Sequence, residues 1–279
     1  MKNIIIMAAG ASSRMKKTLN EVNLSSKVLE LASIEHKTLI PLNDKNKSLL
    51  FYLCSNIKKA GYENIYILTS SENKAFHQWI KSNKYKPEIK GLNFLLPVQY
   101  IPDGRVKPIG TADGIQQVLD QFPELLKQRF TVCNADNLYS VNVLKKLLDH
   151  KKSPNAIVAY DRLYLKFPEE RISKFALMSL DEENFLKDII EKPPIKSHDS
   201  FRNDKGQLFV SMNIFSFTGK DIYPFLEKCT INKDRDEKEL PEAVRSLVKS
   251  RKKNMLCYLV KEHLKDLTSA HDIDIFKNE

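Results

Sequence analysis

The chain opens on an unbroken apolar run, Asn3 to Ala9 with three consecutive isoleucines. Apolar at both parities, such a run predicts a strand buried on both faces, as in a parallel sheet. Helical and strand-like stretches then alternate. Helices are predicted over Ser48–Ala60, with Gly61 as a C-terminal stop, and over Ser71–Lys84, Thr111–Gln121 and Ser140–His150, with Ser140 as N-cap. Short apolar stretches between them predict strands at Ile65–Thr69, Leu95–Ile101 and Phe130–Asn134. Alternation at these lengths predicts a doubly wound, mostly parallel sheet with ligands at the C-terminal ends of its strands.

Beyond His150 the pattern changes. Ala156–Tyr160, Ile172–Leu180, Phe185–Ile190 and Leu208–Phe217 are strand-like and separated by charged or proline-containing turns. They predict a mixed sheet that extends the core and forms a lid over a second substrate. Helices follow near Gly219–Lys228 and Lys238–Lys249, then a strand at Met255–Val260 and a terminal helix from Ser269. With no internal repeat and no low-complexity linker, one continuous domain over residues 1–279 is expected, with an inserted substrate subregion.

Composition narrows the class. A hydrophobic content of 42% allows a sizeable core, and 29% charge keeps the surface polar. No apolar run approaches a membrane span. The first one is too short for a signal-peptide core and is followed by Arg14, Lys16 and Lys17. Cys54, Cys133, Cys229 and Cys257 lie far apart without a C-x-x-C pair, so reduced thiols and a cytoplasmic location are expected. The net charge of +10 raises a nucleic-acid partner, but the basic residues are spread among acids, and the one compact cluster, Lys249–Lys253, follows a helix. No nucleic-acid motif is present, and an anionic small molecule is the better partner.

The first strand runs into Ala8-Ala9-Gly10-Ala11-Ser12-Ser13-Arg14-Met15. Small side chains leave backbone N–H groups open to a ligand, and Arg14 adds a fixed charge at the edge of such an anion nest. A polyphosphate is implied; an ordinary turn with an exposed arginine is the competing reading. The loop is neither a Walker A motif, lacking Gly-Lys-Ser/Thr, nor G-x-G-x-x-G, since serines hold those glycine positions. Asn134-Ala135-Asp136-Asn137 ends a buried strand at the same sheet edge, where Asp136 either holds a divalent cation or caps a turn. Glu191-Lys192-Pro193 ends another strand, and the pair suits a hydroxylated, phosphorylated substrate or forms a solvated ion pair. Asp266 is either a second metal carboxylate or, like Thr268, a helix cap.

In this order the segments resemble the sugar-1-phosphate nucleotidyltransferases, relatives of glucose-1-phosphate thymidylyltransferase, over nearly the whole chain. The Ala8–Met15 loop looks like their signature loop, and Lys37-Thr38-Leu39-Ile40-Pro41-Leu42 like the lysine–proline segment after it. Gly110-Thr111-Ala112 is similar to the Gly-Thr-Ala opening the helix beside the nucleotide. Asn134–Asn137 is similar to the metal-aspartate motif, and Glu191-Lys192-Pro193 to the Glu-Lys-Pro that holds the sugar phosphate. Val210-Ser211-Met212-Asn213 resembles the strand whose asparagine lies near the sugar, and Asp266-Leu267-Thr268-Ser269-Ala270 stands where the family has Asp-Ile-Gly-Thr-Pro.

The resemblance implies a Rossmann-like, nucleotide-diphospho-sugar transferase type of fold, with residues 1–150 as the nucleotide half and 151–279 as the sugar-phosphate half. It implies in-line attack by a sugar 1-phosphate on the α-phosphorus of an NTP, expelling pyrophosphate. Arg14 and Lys37 would bind the triphosphate with the residues of the 8–13 and 110–112 segments; Asp136 and Asp266 would hold Mg²⁺. Lys192 would orient the sugar phosphate, Glu191 the hydroxyls, and Asn213 would lie beside the sugar. Relatives of this kind are often dimers or tetramers, which leaves a homo-oligomer open. The chain departs from the pattern in four places. Ser12 replaces a loop glycine, as in cytidylyltransferases of the molybdenum-cofactor type, and 22 residues separate Arg14 from Lys37, so Glu21–Glu35 is expected to be an inserted flap. No base-reading glutamine is evident where Gln99 and Asp103–Pro108 lie, and the tryptophan before the last aspartate is missing. A cytidylyltransferase for phosphocholine or a cofactor precursor, and a catalytically silent nucleotide-sugar-binding regulator, are the alternative readings. Hexapeptide repeats are absent, so no β-helix acyltransferase is expected.

Overall fold

A computed structural model describes residues 2–22, 26–42 and 45–276. The first half contains β1 (Asn3–Met7), α1 (Ser13–Thr18), α2 (Ser26–Ile34), α3 (Leu49–Ala60), β2 (Asn64–Leu68) and α4 (Lys74–Asn83). It continues with β3 (Asn93–Leu95), α5 (Thr111–Gln121), β4 (Arg129–Asn134), β5 (Asn137–Leu138) and α6 (Val141–Asp149). The second half contains β6 (Asn155–Asp161), α7 (Glu169–Ile172), β7 (Ala176–Leu180), β8 (Leu186–Ile190) and β9 (Phe209–Thr218). It ends with α8 (Gly219–Glu227), α9 (Leu240–Ser250), β10 (Met255–Val260) and β11 (Lys265–Asp266).

The main sheet has nine strands, with the path β10-β6-β9-β4-β1-β2-β3 and β7 and β8 branching from β9. β1 pairs in parallel with β2 and β4, and β9 runs antiparallel to both β4 and β6. This is the doubly wound mixed sheet expected from the pattern. The isoleucines of β1 show why: Ile4 and Ile6 are fully buried in the core on one face, Ile5 in the core on the other. Leu53 and Ile57 of α3 and Leu144 and Leu147 of α6 cover the first face. Ile115 and Val118 of α5, Ile222 of α8 and Val244 of α9 cover the second.

The local punctuation holds. Ser48 and Ser140 accept from Phe51 N–H and Val143 N–H as the caps of α3 and α6, and Gly61 closes α3 at φ 100°. Four boundaries are corrected. The strand expected at Leu95–Ile101 breaks at Leu95, because Pro97 has no N–H for the ladder, and pairing resumes only as a single bridge between Thr69 and Val98. Val98 and Tyr100 instead exchange backbone hydrogen bonds with the side-chain amides of Gln121 and Gln117, which cover that sheet edge. Ile172 ends a helical turn entered through Pro168, and the strand begins only at Ala176. Helix α9 starts at Leu240, since Lys238 is held in extended pairing with Ile109 and Ala112. The terminal helix expected from Ser269 is a tighter 3-10 segment, Ala270–Phe276. Of the expected flap, residues 23–25 lie outside the described residues. Its helix α2 is docked, with Ala32 buried in a third apolar cluster beside Met15, Ile40 and Phe276.

β9 carries the one irregularity that matters for the site. Its register against β6 jumps between Ile157 and Ala159, and within the bulge Asn213 is left-handed at φ 54°. Asparagine tolerates that conformation better than most residues. The bend lets β9 leave β4 and continue beside β7, bringing the end of β8 toward the end of β4.

Candidate active site

The parallel register of β1 and β4 sets Met7 opposite Asn134, so the loops that follow them emerge side by side. Ala8 N–H is bound by Leu68 O and Ala135 N–H by Met7 O, which anchors both loop starts. Gly10 and Arg14 are exposed, and a Cβ added to Gly10 would meet nothing within 4 Å. The space above that loop is therefore open to a ligand. Arg14 has no carboxylate at ion-pair distance among the described residues.

Lys37 reaches this edge from the other side of the inserted segment. Its ammonium donates to Asp136 Oδ2 at 2.7 Å, and its side chain is 11% exposed. The preceding His36, which sequence reading missed, is half-buried, its ring against Phe76. Burial and the adjacent Lys37 charge push its pKa down to about 4, against the pull of Asp136 and a hydrogen bond with the Gly10 backbone. His36 is a neutral spacer whose only advance signal was its place before Lys37.

Asp136 and Asp266 are brought together by a small antiparallel ribbon. β11 pairs with β5, Asp266 opposite Asn137, and Leu267 N–H donates to Asp136 O at 2.8 Å. Asp266 is raised to about 6, by burial first and then by the Asp136 charge, while Arg171 and Thr268 pull the other way. Arg171 is a second residue the sequence did not disclose. It donates to Asp266 Oδ2 at 2.6 Å and to Asp272 Oδ1 at 2.9 Å from the short helix α7. Thr268 gives its hydroxyl to the Asp266 carboxylate. From inside the last turn, Asp272 accepts from the N–H groups of Thr268 and Ser269 just ahead of it.

These donors fit a hard divalent cation. Two carboxylates converge, and their mutual repulsion is what such a cation relieves. Among the described residues there is no cluster of three or more acidic, histidine or cysteine ligands. Mg²⁺ needs no such cage, because one or two carboxylates and substrate phosphates satisfy it. In the protein alone, Lys37 and Arg171 meet the two charges.

The acceptor side is built at the end of β8. Glu191 is mostly buried, and burial raises its pKa although Arg235 and Lys192 draw it down. Lys192 is exposed and left-handed at φ 46°, immediately before Pro193, a strained placement of the kind that gathers at functional sites. Its pKa is lowered by the partial desolvation of its ammonium, then by Arg235 and, from the first loop, by Arg14. Three cations from three parts of the chain thus face one region. Arg235 was not singled out from the sequence; it sits 3.5 Å from Glu191 and is paired with Glu239. Asn213 lies one position beyond the β4–β9 ladder, next to Asn134, and Tyr139 donates its hydroxyl to the neighbouring Met212 carbonyl.

Gly110, Thr111 and Ala112 open α5 against the segment that leads into α9. Ala112 N–H is bound by Lys238 O and the Thr111 hydroxyl by Leu240 N–H, so these donors and acceptors are used within the protein. A Cβ on Gly110 would lie 2.5 Å from Lys238 O. Gln99 is also internal: it is buried and donates to Gly110 O and Asp113 Oδ2. The neighbouring 103–108 loop is pinned by Arg105, which donates to Asp236 Oδ2 at 2.7 Å.

One edge of this mixed sheet gathers cations around a carboxylate pair, an arrangement suited to phosphate-bearing substrates. The chain belongs to the nucleotidyl transferase family, whose profile matches residues 24–271, and it is a nucleotidyltransferase. That match begins after the Ala8–Met15 loop, whose place in the site rests on its geometry. Two solved structures of UDP-glucose pyrophosphorylase share the fold. One is complexed with UDP-glucose, at TM-score 0.72, and one is the apo form, at 0.71. Each is 19% identical, over 99% of this chain and 96% of its own. Among the described residues no helix is long and apolar enough to cross a membrane.

Proposed function

We propose that this chain transfers a nucleotidyl group from an NTP to a sugar 1-phosphate, giving an NDP-sugar and pyrophosphate with Mg²⁺ as cofactor. The observation that carries this reading is the grouping of Lys192 and Arg235 at the mostly buried Glu191, within electrostatic reach of Arg14, together with the Lys37–Asp136 pair. A phosphate monoester is already a competent nucleophile, so the site needs no strong base and works by positioning and charge neutralisation. Arg14 and Lys37 bind the triphosphate and the departing pyrophosphate. Lys192, with Arg235 behind it, holds the acceptor phosphate, and Glu191 and Asn213 take its hydroxyls. Asp136, with Asp266 beside it, would hold Mg²⁺, which supplies charge neutralisation at the α-phosphate when bound.

Residues 1–279 act as one unit in this reading, the first 150 carrying the nucleotide and the remainder the acceptor, because β6 and β9 of the second half lie within the shared sheet. The four free, buried cysteines suit a reducing cytoplasm. The test is pyrophosphate release with Mg²⁺ across ATP, CTP, GTP, UTP and dTTP, with a panel of sugar 1-phosphates and phosphocholine. Release with one NTP and a sugar phosphate is expected and names both substrates. Release with CTP and phosphocholine alone, or none at all, would refute the reading.

A further inference from the structure

Ser12 occupies a backbone position that suits glycine. It is left-handed, at φ 55° and ψ 25°, where an L side chain is strained and glycine is not. It stands at the N-cap of α1, yet its side chain makes no capping bond to that helix. The hydroxyl instead accepts from the backbone N–H of Lys37 at 3.1 Å. Lys37 in turn sets its ammonium 2.7 Å from Asp136. Within the turn the His36 ring lies 2.8 Å from the Thr38 hydroxyl and accepts weakly from Thr38 N–H. The 8–13 loop and the turn bearing Lys37 are thus joined at Ser12.

We propose that the Ser12 hydroxyl is a positioning group for Lys37, fixing the lysine turn to the phosphate-side loop, and that serine is held in a glycine-like conformation for this bond. The role rests on the transfer reading above, in which Lys37 neutralises the departing pyrophosphate. A residue that merely filled the loop would behave otherwise, because replacing it by glycine would remove strain and cost nothing.

The test compares the full chain with Ser12→Gly and Ser12→Ala in melting temperature, hydrogen exchange at the Lys37 amide, and kcat and KM for the NTP. Ser12→Gly is expected to melt no lower than the unaltered chain, since the strain is relieved. Its Lys37 amide should exchange at least about tenfold faster, having lost its acceptor. Its kcat should fall about tenfold with a smaller change in KM, because the displaced ammonium acts mainly in the transition state. Ser12→Ala should show the same exchange and kcat with a lower melting temperature. Unaltered kcat or unaltered Lys37 exchange in Ser12→Gly overturns the proposal. So does an activity loss that tracks a fall in melting temperature in both variants. If the unaltered chain releases no pyrophosphate from any NTP, the transfer reading falls instead. Faster Lys37 exchange in Ser12→Gly then still supports the tie, and unchanged exchange overturns it.

Discussion

Lys37 and Asp136 each neutralise the other in a partly enclosed place, so a change at either has two separable effects. Asp136→Asn keeps the shape of the side chain and removes its charge, leaving the Lys37 ammonium, 11% exposed, without its partner. Pyrophosphate release is expected to fall by roughly 10²–10³, the scale of one preorganised electrostatic contact. The fold should lose only about 1–2 kcal/mol, readable as a small shift in the urea midpoint. An Asn variant with full Mg²⁺-dependent turnover would remove Asp136 from the site. Two glycines make a sharper contrast. Gly10 faces open space, so Gly10→Ala should melt close to the unaltered chain and raise the KM for NTP, because its methyl group intrudes on the ligand. Gly110, at φ 140°, abuts the Lys238 backbone at 2.5 Å from an added Cβ. Gly110→Ala should cost about 3 kcal/mol or more and lower the melting temperature whatever ligand is present. Equal melting of the two variants would contradict this division between a ligand glycine and a packing glycine.

At the scale of elements, what could be read in advance follows the range of the interaction. The burial of Ile4, Ile5 and Ile6, the cap at Ser140 and the stop at Gly61 depend on near neighbours, and each was legible in the sequence. So was the placing of Asp136 and Glu191 at strand ends. Arg171 and Arg235 were not, because the site carboxylates they meet, Asp266 and Glu191, lie far along the chain and arginines on charged loops are usually solvated. The resemblance correctly drew Asp266 toward Asp136 but gave no sign that an arginine would meet its charge. The bend of β9 was hidden for a similar reason: a left-handed asparagine in an apolar run has no periodicity to betray it. Arg171 ties α7 to the ribbon and to the last turn through two carboxylates whose side chains are each under 10% exposed. Arg171→Gln leaves both with an uncharged partner, and a loss of about 3 kcal/mol is expected. Calorimetry at neutral pH would check it, and a loss below about 1 kcal/mol would mean that Thr268 and the backbone carry these carboxylates without the arginine.

Across the whole molecule, two histidines set how it meets acid. His36 lies at the site and His150 behind it, where its ring is 2.9 Å from the Ser216 hydroxyl of β9. Both are held down to about 4 by burial, assisted by the charges of Lys37 and Arg129 respectively. The unfolded chain therefore binds protons between about pH 6.5 and 4 that the folded chain refuses. Their stabilising contribution is complete above this window and is lost as pH falls through it, by about 3 kcal/mol per histidine. Asp266 acts with the opposite sign. Its raised pKa lets the folded chain take a proton near pH 6 that the unfolded carboxylate declines, so it returns part of the loss. Glu191, raised by burial, sides with Asp266, and His263, lowered by burial, sides with the other histidines. The large shifts of His36 and His150 still tilt the net slope toward acid unfolding, and the lost stability is a large fraction of the 5–15 kcal/mol typical of a folded chain. His150→Gln isolates one contribution without touching the site. Its urea midpoints at about pH 7.5 and about pH 4.5 should differ less than those of the unaltered chain, by the equivalent of roughly 2–3 kcal/mol. An unchanged difference would mean that His150 takes up its proton in the folded chain as freely as in the unfolded one, and the acid sensitivity would then belong to the histidine beside Lys37.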